Sequence, residues 1–338
     1  MGRISLLDCT LRDGGYVNNW RFGSQKINDI IRGLARSGID IIEIGFLRDE
    51  QYDPDRAVFA RCEEIKSVIG DTKDVKFAAM IEAKEDVSKH FPLEKAALLK
   101  DAGLSFIRIM AWEWKLEEHL EYCKRVKELG IEISIQPTSV VDYTDERFMQ
   151  LLDMANEIKP FSLYIVDTWG TEMPGKIRHL AEMANKTLDP DIALGYHGHN
   201  NKMQGMACLE AILGMDMSRQ VLCDVSLGGI GKGPGNLQTE VIADLLNEEE
   251  GGGYDVDKLC DLYSKNVSDF FYENPWGYSL YHFIGSRNLV TQNYATYFRQ
   301  MRYGEDVFYK FVQSLKGREK VVFNREFTEN RLKELGLK

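Results

Sequence analysis

The chain has 338 residues, 44% of them hydrophobic and 28% charged, with a formal net charge of -11 at pH 7. That acidic balance excludes non-specific nucleic-acid binding, which needs a basic surface, and the composition fits a soluble globular protein. No apolar run has the length of a bilayer span and the N-terminus carries no signal-peptide core, so a cytoplasmic protein without membrane association is expected. The six cysteines (Cys9, Cys62, Cys123, Cys208, Cys223, Cys260) show no C-x-x-C spacing and read as reduced thiols rather than a disulfide or zinc framework.

Residues 4–7 are a short apolar run, too brief for a helix, and read as a buried strand. The run opens onto Asp8-Cys9-Thr10-Leu11-Arg12-Asp13-Gly14-Gly15, in which two acids and an arginine precede a pair of glycines that permit a sharp turn. So much charge at a strand end suits a site better than a core. Ser24 can cap a helix with Ile27, Ile30, Ile31 and Leu34 on one face, and Gly38 stops it. Residues 39–46 then read as a buried strand with one internal acid, Glu43. The alternation continues with helices at 56–69, 93–102, 115–129, 145–158, 174–188 and 203–213. Each leads to a strand, at 75–81, 106–110, 131–136, 162–167, 192–197 and 221–227.

Eight strand-like runs alternating with helices predict an α/β fold with parallel strands, a (β/α)8 barrel. An open doubly wound sheet would carry a glycine fingerprint after its first strand, where this chain has Arg12-Asp13-Gly14-Gly15. Asn247 to Gly253, a run of acids meeting glycines, marks a boundary. The reading is therefore a catalytic barrel over 1–247 and a helical, aromatic-rich C-terminal region over 254–338, packed near the barrel's mouth.

Gly195-Tyr196-His197-Gly198-His199-Asn200-Asn201 closes the seventh strand. Residues two apart on an extended chain point the same way, so His197 and His199 can present both imidazoles to one point. The C-terminal strand ends of a barrel converge, which brings Asp13 to the same point and completes a set for a divalent metal with open positions. The eighth strand runs into Gly228-Gly229-Ile230-Gly231-Lys232-Gly233-Pro234-Gly235-Asn236. That loop reads either as an anion site using backbone N–H groups and Lys232 or as a flexible turn, and Asn236 can offer the metal a further oxygen.

Together these stretches, with Ile42-Glu43-Ile44-Gly45 and Asp167-Thr168-Trp169-Gly170, resemble the DRE-TIM metallolyase superfamily over about residues 1–245. That group includes metal-dependent 4-hydroxy-2-oxovalerate aldolases, 3-hydroxy-3-methylglutaryl-CoA lyase and isopropylmalate synthase. The resemblance implies carbon–carbon bond chemistry through an enolate at a divalent metal, Mn2+ or Mg2+ first and Co2+ or Zn2+ as alternatives. By position it implies Asp13, His197 and His199 as ligands, Arg12 as enolate stabiliser, Glu43 as the acid beside Arg12 and Thr168 as a contact for the substrate carboxylate. Gly14 and Lys232 fall among the implied substrate contacts.

Two departures bear on the chemistry. Tyr16 stands where the aldolases carry a proton-transferring histidine, and Ile230 stands where the lyases carry a cysteine. Tyr16 is therefore the first choice for the acid/base, with Tyr278 and Tyr281 of the tail as alternatives. The tail is most similar to that of the aldolases, which implies a homo-oligomer and an aldehyde dehydrogenase partner. The expected activity is a class II aldolase joining pyruvate enolate and an aldehyde, or cleaving a 4-hydroxy-2-oxo acid into them. Its rivals are an acyl-CoA-dependent Claisen lyase or synthase and a non-catalytic barrel acting as a binding or assembly subunit.

Overall fold

A computed structural model describes residues 4–72, 74–82, 86–140 and 143–338. Eight strands follow one another around a closed ring: β1 (Ile4–Asp8), β2 (Ile41–Leu47), β3 (Lys76–Ile81), β4 (Phe106–Ala111), β5 (Ile133–Pro137), β6 (Ser162–Asp167), β7 (Ala193–Gly198) and β8 (Val221–Ser226). Every neighbouring pair is parallel, and β8 closes on β1 in a register running from Ile4–Val221 to Asp8–Val225. This is the (β/α)8 barrel expected from the alternation. Its strands are buried on both faces and so read as near-continuous apolar runs.

The two faces bury different things. Leu6, Ile42, Ile107 and Leu194 point outward into one large core shared with the surrounding helices. Leu7, Ile41, Phe106, Tyr164, Ala193 and Leu222 pack together inside the ring. Two residues further along the chain from several of these inward positions stand Glu43, Arg108 and Asp224, all fully buried. The two-residue period of a strand thus lifts charged side chains above an apolar floor toward the barrel mouth.

Local departures from the sequence expectations have physical causes. The helix expected over 56–69 begins only at Cys62, because Val58–Phe59 pairs in parallel with Phe46–Leu47 of β2. Gly45 makes that addition possible: its φ is +147°, and a Cβ there would stand 2.1 Å from the Ala57 carbonyl oxygen. Glu64 then starts the helix by accepting from the backbone N–H groups of Ala60 and Arg61 at 2.7 and 3.0 Å. The helix expected over 93–102 is shorter, Leu93–Leu98, and is preceded by a single turn, Val87–His90.

Beyond the barrel, the helices Val256–Asn266 and Ser268–Glu273 join the main core through Leu259, Leu262 and Val267. A separate cluster of Val290, Tyr294, Phe298, Phe308, Phe311 and Leu332 unites the later helices. These helices hold the loops after β7 and β8: Trp276 Nε1 donates to the Gly228 carbonyl at 2.8 Å, and Asn201 Nδ2 to the His282 carbonyl at 3.3 Å. No helix among the described residues is long and apolar enough to cross a membrane.

Candidate metal centre and active site

The turn after β1 is fixed from several sides. Arg12 and Asp13 donate their backbone N–H groups to the Cys9 carbonyl at 3.1 and 2.8 Å, and Trp20 Nε1 caps the Arg12 carbonyl at 2.7 Å. Gly14 is helical (φ -59°), so no left-handed turn requires it. Close approach does, since a Cβ there would stand 2.2 Å from the Thr10 carbonyl oxygen and 2.8 Å from Ile230. The two acids of the motif part company at this turn. Asp8 points away from the mouth and accepts from the Thr239 hydroxyl at 2.6 Å, whereas Asp13 turns inward.

Asp13, His197 and His199 meet at the C-terminal mouth with one ligand atom of each within 4.8 Å of the others. All three are at least 95% buried, and the imidazole centroids lie 5.1 Å apart with the rings nearly perpendicular. His197 Nδ1 is 2.9 Å from Asp224 Oδ2, which leaves Nε2 for the cavity. His199 Nδ1 is buried without a hydrogen-bond partner among the described residues, and burial pushes this imidazole down to about 3, so it is neutral and able to ligate. Burial alone would raise the Asp13 carboxyl, but Arg12 and the two histidines outweigh it and hold the group well below the usual carboxylate range. Asn236 Nδ2 and the Lys232 backbone N–H secure Asp13 Oδ2 at 2.9 and 3.2 Å. The glycine loop after β8 therefore turns its N–H toward a protein carboxylate. Asn236 Oδ1 stays buried and unpartnered among the described residues.

Beneath this set lies a charged network. Arg12 Nε donates to Glu43 at 2.8 Å and Nη1 to Asp13 at 2.5 Å, while Nη2 comes no closer than 4.0 Å to Asp224. Arg108 joins Glu43 (2.7 Å), Asp224 (2.5 Å) and Gln136 (2.9 Å). Two guanidiniums thus face three carboxylates in a buried volume, with Glu43 Oε1 and Asp224 Oδ1 unpartnered among the described residues. Buried charge without balance is costly, and a divalent cation beside Asp13 would bring positive charge to this volume. Two imidazoles, one ionised carboxylate and an orphaned ring nitrogen fit such an ion. Cys9, His197 and Asp224 also lie within ligating distance of one another, but burial keeps the Cys9 thiol protonated and Asp224 is committed to Arg108 and His197.

A cavity of about 80 Å³ opens over the set, and Arg12, Tyr16, Thr168 and Lys232 are in its wall. Thr168 Oγ1 accepts the Ser139 backbone N–H at 2.8 Å, so its hydroxyl proton is left to donate. Tyr16 packs edge-on against Trp20 at 5.0 Å, with Lys232 Nζ 5.2 Å from its ring centre. Burial raises the Tyr16 hydroxyl well above the usual phenol range, so it is a neutral donor. The structure does not bring Tyr278 or Tyr281 to this cavity. Tyr278 is 54% exposed and Tyr281 donates to the Tyr303 carbonyl at 2.5 Å, within the tail. Arg108, Asp224, Gln136 and Glu82 are site residues the sequence reading missed. The available signal was a charge two residues after an inward apolar one, as in Phe106–Arg108 and Leu222–Asp224.

A family profile described as HMGL-like matches residues 3–265. An oxaloacetate decarboxylase of Mycobacterium tuberculosis is 27% identical over 278 residues, covering 81% of this chain and 79% of its own. A 4-hydroxy-2-oxovalerate aldolase of Geobacillus genomosp. 3 is 26% identical over 273 residues, covering 76% and 78%. The solved N-terminal domain of a candidate aldolase from Bacteroides vulgatus superposes with a TM-score of 0.73 at 22% identity, over 92% of this chain and 100% of that one, a likeness of fold.

Proposed function

Since the chain belongs to the HMGL-like family, we propose that it is a divalent-metal-dependent lyase that makes or breaks the bond beside a pyruvate enolate, with an aldehyde as the other half. The observation that carries this reading is Arg12. Two carboxylates pin its guanidinium, yet Nη2 is left without a hydrogen bond among the described residues, on the same cavity as Asp13, His197 and His199. A divalent cation held by those three residues, Mn2+ or Mg2+ first, would polarise the carbonyl of a 2-oxo acid.

The chain's own groups supply the rest. Arg12 Nη2 donates to the oxygen on which enolate charge develops, in a site where the donor is already fixed. Glu43 and Arg108 hold Arg12 in place, and the Thr168 hydroxyl donates to the substrate carboxylate. In condensation, Tyr16 gives its proton to the aldehyde oxygen as that oxygen becomes an alkoxide, a role that suits a phenol kept neutral. In cleavage the C4 hydroxyl gives up a proton and pyruvate C3 takes one up, so the overall reaction needs no further reactant. A released aldehyde is the kind of product an aldehyde dehydrogenase partner would take up.

The similarity to an oxaloacetate decarboxylase favours one further reading, in which the same enolate forms as carbon dioxide leaves. Incubation with Mn2+ separates the two. The aldolase reading expects pyruvate and aldehyde in equal amounts from a 4-hydroxy-2-oxo acid. Pyruvate from oxaloacetate alone would establish the decarboxylase, and thiol release from acetyl-CoA would establish the Claisen rival.

A further inference from the structure

At the barrel mouth, Ser139 holds a backbone conformation that its side chain disfavours. It stands two residues beyond the end of β5, 6% exposed, at a φ of +54°. That left-handed region crowds the Cβ of every residue but glycine, so a serine kept there marks a place where the surroundings impose the conformation. The residue before it is anchored, since the Thr138 N–H donates to the Ala111 carbonyl at the end of β4, at 2.8 Å.

The left-handed turn aims the Ser139 N–H at Thr168 Oγ1, 2.8 Å away. Thr168 lines the metal cavity and also a large groove of about 680 Å³ beside it. Its backbone is fixed by other bonds. The Asp167 carboxylate accepts the N–H groups of Thr171 and Glu172 at 3.1 and 3.0 Å, and the Gly170 carbonyl accepts the Lys202 N–H at 3.1 Å. These bonds leave open the rotation of the Thr168 side chain, which would exchange its hydroxyl for its methyl group at the cavity. A backbone N–H neither rotates freely nor titrates. From Ser139 it fixes the threonine oxygen and occupies one acceptor position, and the hydroxyl hydrogen is left to face a ligand.

We propose that Ser139 is a positioning residue for the 2-oxo acid: its left-handed backbone holds Thr168 so that the hydroxyl proton points to the substrate carboxylate. This rests on the proposed function, in which Thr168 donates to that carboxylate. The carboxylate is present in the bound acid and in its enolate alike. The contact therefore contributes equally to both, and its loss belongs in KM rather than in kcat.

The test uses the full chain with Mn2+ and follows pyruvate methyl-proton exchange over a range of pyruvate concentrations. Ser139→Val puts a β-branched side chain where the left-handed region rejects it, whereas Ser139→Gly keeps both the conformation and the N–H. Thr168→Val removes the hydroxyl itself. A hydrogen bond to a charged group is worth about 10-fold to 100-fold, so KM should rise by that factor in Thr168→Val. In Ser139→Val it should rise about tenfold with kcat retained, and in Ser139→Gly it should stay at the parent's value. The double variant should show no higher KM than Thr168→Val alone, since one residue acts through the other. Ser139→Thr, a β-branched change that keeps a hydroxyl, takes the same place in the cycle should Ser139→Val fail to fold. A KM unchanged in the β-branched variant, a KM raised equally in Ser139→Gly, or effects that multiply in the double variant would overturn this inference and leave the enolate reading standing. Absence of exchange in the parent protein would overturn the enolate reading itself, and this inference with it.

Discussion

At the scale of single residues, the site is a problem of charge. Arg12 holds Glu43 and Asp13 with two of its nitrogens, and the third makes no hydrogen bond among the described residues. Lysine keeps the charge but not the planar fork, so Arg12→Lys should retain fold and metal while turnover falls roughly 10²–10³-fold. Aldol cleavage and pyruvate proton exchange should fall together, because both pass through the enolate; loss of cleavage alone would move Arg12 to the aldehyde half. His199→Ala removes a proposed ligand at a strand end, not a core side chain, so calorimetric titration should show loss of tight Mn2+ binding with circular dichroism unchanged. Asp13, His197 and His199 were legible because H-x-H and an acid cluster stood at strand ends. Arg108 and Asp224 were harder to see, since each is one charge inside an apolar strand and its partners lie on other strands, 65 and 116 residues from Arg108 in the case of Glu43 and Asp224.

The strands work as elements by alternating what they bury. β2, β4 and β8 each put apolar residues outward and, at one inward position, a charge that joins the others above the floor. Arg108→Met would leave Glu43 and Asp224 buried without their shared partner, and urea unfolding should show a loss of about 3–5 kcal/mol. Gly235 carries the loop after β8 at φ +84°, with any Cβ 2.0 Å from the Gly229 carbonyl oxygen. Gly235→Ala should therefore cost about 1–3 kcal/mol and weaken metal binding, because Asn236 and the Lys232 N–H, which hold Asp13, sit on that loop. The strand–helix alternation was legible throughout, since each element's period is local. The added pair Val58–Phe59 was not, because two residues carry no period and their pairing depends on Gly45 of another strand.

At the scale of the whole molecule, burial sets the response to pH and the tail completes the mouth. Burial raises the Asp8 carboxyl from 3.8 to about 6, so between those values the folded chain binds more protons than the unfolded one. Stability from this group is therefore lost as pH rises from about 4 to 6, by about 2–3 kcal/mol. Urea unfolding at pH 4 and pH 7 should show Asp8→Asn gaining on the parent by that amount across the interval. The barrel was legible from its eightfold repetition, whereas the large groove was not. It exists only because residues 318–322 return to face a turn some 200 positions earlier, at Trp112 and Trp114. We propose that one divalent ion at Asp13, His197 and His199, beside Arg12, allows the chain to form the pyruvate enolate. The most direct test is deuterium exchange of the pyruvate methyl group as Mn2+ is titrated into metal-stripped protein. Exchange should appear with the ion, saturate at one equivalent per chain and be absent in His199→Ala; exchange at full rate after chelation, or a bound ion with no exchange, would contradict it.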